Sequence, residues 1–286
     1  MTIPAGSHGM TRHLGRLLGS DRGFSIIVAM DQGVGGVNKG FEDPVATVAN
    51  VISAKPDGVL LTAGLARRTA SLFAHRGAPG LVMAMDQAIH RDPHGAGPAV
   101  AHAPGFSVEE AMRVGADAVK TMLIMGGDSR SDQLQNMAYL AKAGEQCRHW
   151  ELPLMIEPYL WGVEIPSDPR GRAEVAADAA RIAVELGADI IKVEYSGDFE
   201  IFAELVRTSP VPVVVLGGPK RSTQREVVAN VIAAMNAGAA GITMGRNIWQ
   251  QPSIDRMISA LSVAMSSRDL DAAMAVLEPV AAASPA

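Results

Sequence analysis

Lys192 sits in the apolar stretch Asp189-Ile190-Ile191-Lys192-Val193. An ammonium is costly to bury there unless it is paired or put to use. An amine attacks a carbonyl only in its neutral form. An ordinary lysine, at ~10.4, is almost wholly charged at neutral pH, so a nucleophilic lysine needs burial or a neighbouring cation. Lys120, in Ala118-Val119-Lys120, holds the matching place in another apolar stretch and is the candidate cation. Glu194, two residues beyond Lys192, is expected to point the same way and to favour the ammonium form. The competing reading is a plain ion pair. Asp31 and Glu157 offer carboxylates for proton transfer or hydroxyl binding, and Tyr159 a phenol that a nearby lysine would make more acidic. Gly217-Gly218 and Gly245-Arg246 each follow an apolar run. Glycine lets backbone N–H groups approach an anion, and arginine grips phosphate in a bidentate manner. Ser222 and Thr223 are candidate hydroxyl donors to the same anion. His90, His94 and His102 cluster near Asp86, but in a segment of glycines and prolines that would hold a metal poorly; residues 90–104 are expected to form a solvated loop without a metal. Neither a P-loop nor a strand-linked dinucleotide fingerprint occurs.

These groups need a frame that gathers them. Apolar runs at 24–30, 58–62, 80–85, 116–125, 152–157, 189–194, 211–216 and 241–244 read as buried parallel strands, continuous rather than alternating. Helical patterns such as 172–186 and 224–236 lie between them. Eight strand–helix units over ~250 residues are the signature of a (β/α)8 TIM barrel, with a doubly wound sheet as the competitor. A weak repeat supports it: Pro56-Asp57-Gly58, Gly115-Ala116-Asp117, Gly187-Ala188-Asp189 and Gly238-Ala239-Ala240 each lead from a helix into a strand. In a barrel, reactive groups collect at the C-terminal strand ends, where Asp31, Asp86, Lys120, Glu157, Tyr159, Lys192, Glu194 and both glycine pairs fall. The expected layout is one barrel domain over 1–286, with an N-terminal helix at about 7–19 and a helical tail at about 268–286.

Composition narrows the class. With 48% hydrophobic residues the chain can build a core, and with only 4% aromatics that core must be aliphatic. A net charge of −5 argues against nucleic acid, which needs a basic face. No apolar run reaches the ~18 residues of a membrane span, and the N-terminus lacks a signal-peptide pattern. The single cysteine, Cys147, suits a reducing cytoplasm.

Together these motifs resemble the class I (Schiff-base) aldolases related to deoxyribose-phosphate aldolase. Within them the likeness is to the archaeal-type fructose-bisphosphate aldolase branch, which also holds 2-amino-3,7-dideoxy-D-threo-hept-6-ulosonate synthase and the autoinducer-2 thiolase. It spans about 14–264. Its most specific part is Gly187-Ala188-Asp189-Ile190-Ile191-Lys192 with Tyr195-Ser196-Gly197-Asp198, where the family carries its Schiff-base lysine. Ala29-Met30-Asp31-Gln32-Gly33 is similar to the family's Met-Asp-His-Gly motif, with Gln32 in place of histidine. Tyr159 aligns with the family's proton-moving tyrosine, whereas Glu157-Pro158 resembles the tagatose-bisphosphate and sulfofructose-phosphate aldolases, which end this strand in glutamate. The acid/base is therefore either residue. The resemblance implies a lysine imine with a phosphorylated ketose and retro-aldol or aldol chemistry. Asp31 orients hydroxyls, Lys120 assists Lys192, and Gly217, Gly218, Gly245 and Arg246 hold phosphate. It implies no metal, no cofactor and a homo-oligomer. The alternatives are a transaldolase-like synthase or acyl-transferring thiolase on the same lysine, a sugar-phosphate binder without turnover, or a non-covalent isomerase using Glu157 and Asp31.

Overall fold

The computed structural model describes residues 7–19, 21–90, 99–126, 130–161 and 165–278. The barrel strands are β1 (Ser25–Ala29), β2 (Gly58–Thr62), β3 (Gly80–Ala84), β6 (Ala118–Met125), β7 (Leu154–Leu160), β8 (Ile190–Val193), β9 (Val213–Leu216) and β10 (Gly241–Met244), and β4 (Asp86–His90) and β5 (Ala99–Pro104) form a separate hairpin. The helices are α1 (His8–Leu18), α2 (Pro44–Ser53), α3 (Ala63–Arg68), α4 (Val108–Arg113), α5 (Arg130–Trp150), α6 (Pro169–Glu185), α7 (Phe199–Thr208), α8 (Gln224–Asn236), α9 (Arg246–Trp249), α10 (Ile254–Ser267) and α11 (Leu270–Leu277). The eight parallel strands close in the order β1-β10-β9-β8-β7-β6-β3-β2. This is the (β/α)8 barrel expected from the strand–helix alternation.

The repeat that introduces several strands has a mechanical role. Gly115, Gly187 and Gly238 adopt φ of +76°, +98° and +98°, which a residue with a Cβ reaches only under strain. Aspartates in three of the four repeats clamp neighbouring strands: the Oδ2 atoms of Asp57, Asp117 and Asp189 accept the N–H of Ile26, Leu81 and Leu154 at 2.8, 3.0 and 2.9 Å. Each bond fixes one strand's start against the next, so the register of the barrel is set by side chains as well as by the ladder.

Two apolar layers result. One lies between strands and helices. The other fills the barrel, where Ile27, Ala29, Leu60, Val82, Ala84, Ala118, Met155, Ile190 and Val214 pack with Leu14, Leu17 and Leu18 of α1. Helix α1 thus plugs the N-terminal end, and Leu17 lies against Gly58 and Gly80. The apolar floor forces polar inward-facing side chains to the opposite end.

The segment expected to be a loop at 90–104 is different. Asp86–His90 pairs antiparallel with Ala99–Pro104 as a hairpin beside the C-terminal mouth. Glycines and prolines crowd the sequence between the two strands, at 91–98, and hide the strand signal in the flanks. His94 and the side chain of His90 lie outside the described residues.

Replacing Leu17, fully buried in the plug, by alanine should cost about 2–5 kcal/mol. Denaturant unfolding checks this: the midpoint should fall while the chemistry at the far end of the barrel persists in the folded protein.

Candidate active site

The C-terminal mouth opens into a cavity of about 520 Å³, lined from all eight barrel strands or the loops that follow them. Three ionisable side chains form its base. Lys120 comes from β6, Glu157 from β7 and Lys192 from β8, and they are 2%, 7% and 5% exposed. The Nζ atoms of both lysines lie 2.8 Å from the same carboxylate oxygen, Glu157 Oε2. Lys192 and its candidate cation Lys120 are therefore bridged by a carboxylate. Asp31, at the end of β1, lies 3.8 Å from Lys120 Nζ.

This geometry sets the charges. Burial alone would raise the Glu157 carboxyl, but the two ammonium groups outweigh it and hold it at about 2. Burial disfavours the Lys120 ammonium, yet Glu157, Asp31 and Asp86 more than compensate, and Lys120 stays charged well above the usual lysine range. Tyr159, two residues beyond Glu157 and on the same face of β7, lines the cavity higher up. Its phenol was expected to become more acidic beside a lysine. Instead burial and the Glu157 carboxylate push it up to about 12, against the opposing influence of Lys120 and Arg246. It is a protonated hydrogen-bonding group at any physiological pH.

Glu194 also departs from expectation. It is drawn aside by a bidentate bond to Arg172 of α6, at 2.7 and 2.9 Å, rather than facing Lys192 alone. Arg172 was not singled out from the sequence, because a helix-borne arginine carries no motif.

On the β9–β10 side the expected glycines line the cavity with Arg246. Gly218 has φ +62°, and a Cβ on Gly245 would lie 2.5 Å from the backbone oxygen of Ala29, so only glycine fits there. Asn247 joins the two turns: its amide donates to the oxygens of Gly217 and Pro219 at 2.8 and 3.2 Å, and its Oδ1 accepts the N–H of Arg221 at 2.9 Å. No motif signals this stitch, which links residues 30 positions apart. Ser222 and Thr223, expected as anion ligands, are occupied otherwise. Ser222 donates to Glu226 at 2.7 Å, and Thr223 and Glu226 form the reciprocal cap of α8. The Tyr195–Asp198 motif likewise serves a turn in which Asp198 caps α7 through the N–H of Ile201.

Gln32, in place of the expected histidine, also lines the cavity, and its buried Oε1 has no hydrogen-bond partner among the described residues. Trp249 donates to the Ala29 oxygen at 3.0 Å and so ties the end of β1 to α9.

Residues 25–251 match the DeoC/LacD family aldolase model. The chain is 31% identical over 261 residues to an uncharacterized aldolase of Saccharolobus solfataricus, covering 90% of this chain and 96% of that one. It is 44% identical over 156 residues to 2-amino-4,5-dihydroxy-6-oxo-7-(phosphonooxy)heptanoate synthase of Streptomyces griseus, about half of each chain (54% and 55%). Its fold matches an archaeal fructose-1,6-bisphosphate aldolase whose catalytic lysine is covalently bound to the carbinolamine intermediate of the substrate. That match has a TM-score of 0.75 and 28% identity and covers 90% of this chain and 99% of the other.

A carboxyl held at about 2 contributes stability that is complete above its ordinary value of 4.5 and is lost as pH falls toward 2. Glu157→Gln leaves two buried ammoniums without their counter-ion and should cost about 3–5 kcal/mol at pH 7. Unfolding measured from pH 7 to 2 should show the gap between wild type and variant narrowing below pH 4.5.

Proposed function

The chain belongs to the DeoC/LacD aldolase family and to its class I, Schiff-base chemistry, and on that premise we propose that Lys192 is the nucleophile and a phosphorylated ketose the substrate. The observation that carries this reading is the shared carboxylate: a buried lysine at the base of the cavity, 2.8 Å from a proton acceptor that a second lysine also holds. Of the two lysines, Lys120 has a second carboxylate, Asp31, within 4 Å, and this fits it for the role of fixed cation. Lys120 and Glu157 thus set a cation and a proton acceptor beside the Lys192 amine.

The neutral amine then adds to the ketose carbonyl, and loss of water leaves an iminium. Glu157 accepts the proton from the hydroxyl of the bond to be cleaved, with Tyr159 as a hydrogen-bond donor beside it. The electrons of the C–C bond move into the iminium, an enamine forms and the aldehyde departs. Protonation of the enamine carbon and hydrolysis release the second product and restore Lys192. Between the alternatives Glu157 and Tyr159, contact with Lys192 and an ionised carboxylate favour Glu157 as the proton acceptor, whereas a phenol raised to about 12 keeps its proton. Gly217, Gly218, Gly245 and Arg246 receive the phosphate on the β9–β10 side, and Asp31 orients substrate hydroxyls. Because the iminium polarises the substrate, neither metal nor cofactor enters the reaction. The same reading places a homo-oligomeric enzyme in the cytoplasm. The buried thiol of Cys147 suits that compartment, and no described helix is long and apolar enough to cross a membrane.

Lys192→Met should abolish aldol cleavage or synthesis, by about a thousandfold or more, while wild-type turnover persists in a chelator. Coupled assays over a panel of ketose phosphates check both. Turnover retained by the variant, or wild-type activity lost to the chelator and restored by zinc, would overturn the reading. Tyr159→Phe should retain more activity than Glu157→Gln in the same assay, because the phenol only donates.

A further inference from the structure

Asp86 helps keep Lys120 charged but has no contact with substrate in the chemistry above; it is the first residue of β4, its side chain is fully buried, and it lines the cavity. Its two oxygens are treated very differently. Oδ2 is saturated: His102 Nε2 lies 2.9 Å away, the Met122 N–H donates at 2.7 Å, and the Thr121 hydroxyl donates as well. Asn136 backs the arrangement, with Nδ2 3.5 Å from His102 Nδ1 and 2.9 Å from the Met122 oxygen. That leaves the Nε2–H of His102 to point at Asp86. Oδ1 is buried and, among the described residues, has no partner. A buried acceptor left bare costs free energy that folding alone does not recover. Here three residues hold the carboxylate by one oxygen, and the other, buried in a residue that lines the cavity, is left without a partner among the described residues.

Its position tells which part of a substrate it meets. Around the closed barrel, β3, which leads into Asp86, is four strands from β9 in either direction, directly across the mouth from the Gly217-Gly218 turn. With phosphate on the β9–β10 side and the ketose carbonyl at Lys192, the chain of the substrate runs toward β3. We propose that Asp86 Oδ1 is the acceptor for a hydrogen-bond donor, a hydroxyl or an ammonium, on the aldehyde-derived half of the substrate, and that it makes the enzyme selective for aldehydes bearing such a group. This inference rests on the Schiff-base reading of Lys192. A site built to receive a donor discriminates against an analogue lacking it more strongly than an apolar pocket discriminates by size.

The test is aldol synthesis from dihydroxyacetone phosphate with glyceraldehyde, 3-aminopropanal or propanal as acceptor. In the wild type, kcat/KM for the hydroxy or the amino aldehyde should exceed that for propanal by about tenfold or more, and the favoured one identifies the donor. In Asp86→Asn, whose amide can place an N–H where the bare oxygen was, that ratio should fall by about tenfold. Borohydride reduction with dihydroxyacetone phosphate, read as intact mass, separates the failures. Wild type without an adduct refutes the Schiff-base reading and this proposal with it. An adduct on both proteins with the same ratio refutes the role of Asp86 alone. If the variant does not fold, the wild-type comparison decides: equal rates with glyceraldehyde, 3-aminopropanal and propanal overturn the proposal.

Discussion

One carboxylate oxygen holds two buried ammonium groups, and the rest of the site is arranged around that contact. Lys120, Glu157 and Lys192 come from three adjacent strands, β6, β7 and β8, and each points into a barrel otherwise filled with aliphatic side chains. Unpaired, any one of them would be expelled or neutralised by such surroundings. Together they carry two positive charges and one negative, with Asp31 3.8 Å from Lys120 to offset the excess. The two lysines share one counter-ion, so neither has the Glu157 oxygen to itself.

The barrel makes this possible through its closed register. The α1 plug and the apolar floor confine polar inward-facing side chains to one end, and the aspartate clamps at the strand starts prevent a slip that would turn the lysines outward. Around the triad the mouth divides by chemistry. Glycine turns and Arg246 on the β9–β10 side suit an anion. Across from them, Asp86 lines the wall with one buried carboxylate oxygen that has no partner among the described residues. Between the two lie the lysines and Tyr159. A substrate with phosphate at one end, a carbonyl near the middle and a donor group beyond it would meet matching chemistry along its length.

The fold was legible in the sequence because parallel buried strands read as continuous apolar runs and the glycine turns recur before them. The candidate site was legible where residue type alone is telling: a lysine in an apolar strand, or glycines at strand ends. What escaped notice depends on pairings distant in sequence. Arg172 reaches Glu194 across 22 residues, and Asn247 ties turns about 30 residues apart. The hairpin Asp86–His90 with Ala99–Pro104 reads as a loop in the sequence because the residues between its strands are rich in glycine and proline. That misreading also concealed His102 as the support of Asp86. Tyr159 was expected to be acidified by its lysine neighbours, but desolvation and the adjacent carboxylate prevail.

The most direct test of the central claim is to incubate the protein with dihydroxyacetone phosphate, reduce it with borohydride and map the modified peptide. The account predicts a single adduct, on Lys192. An adduct on Lys120 would exchange the roles of the two lysines around Glu157, and no adduct with this or related ketose phosphates would contradict the Schiff-base assignment itself.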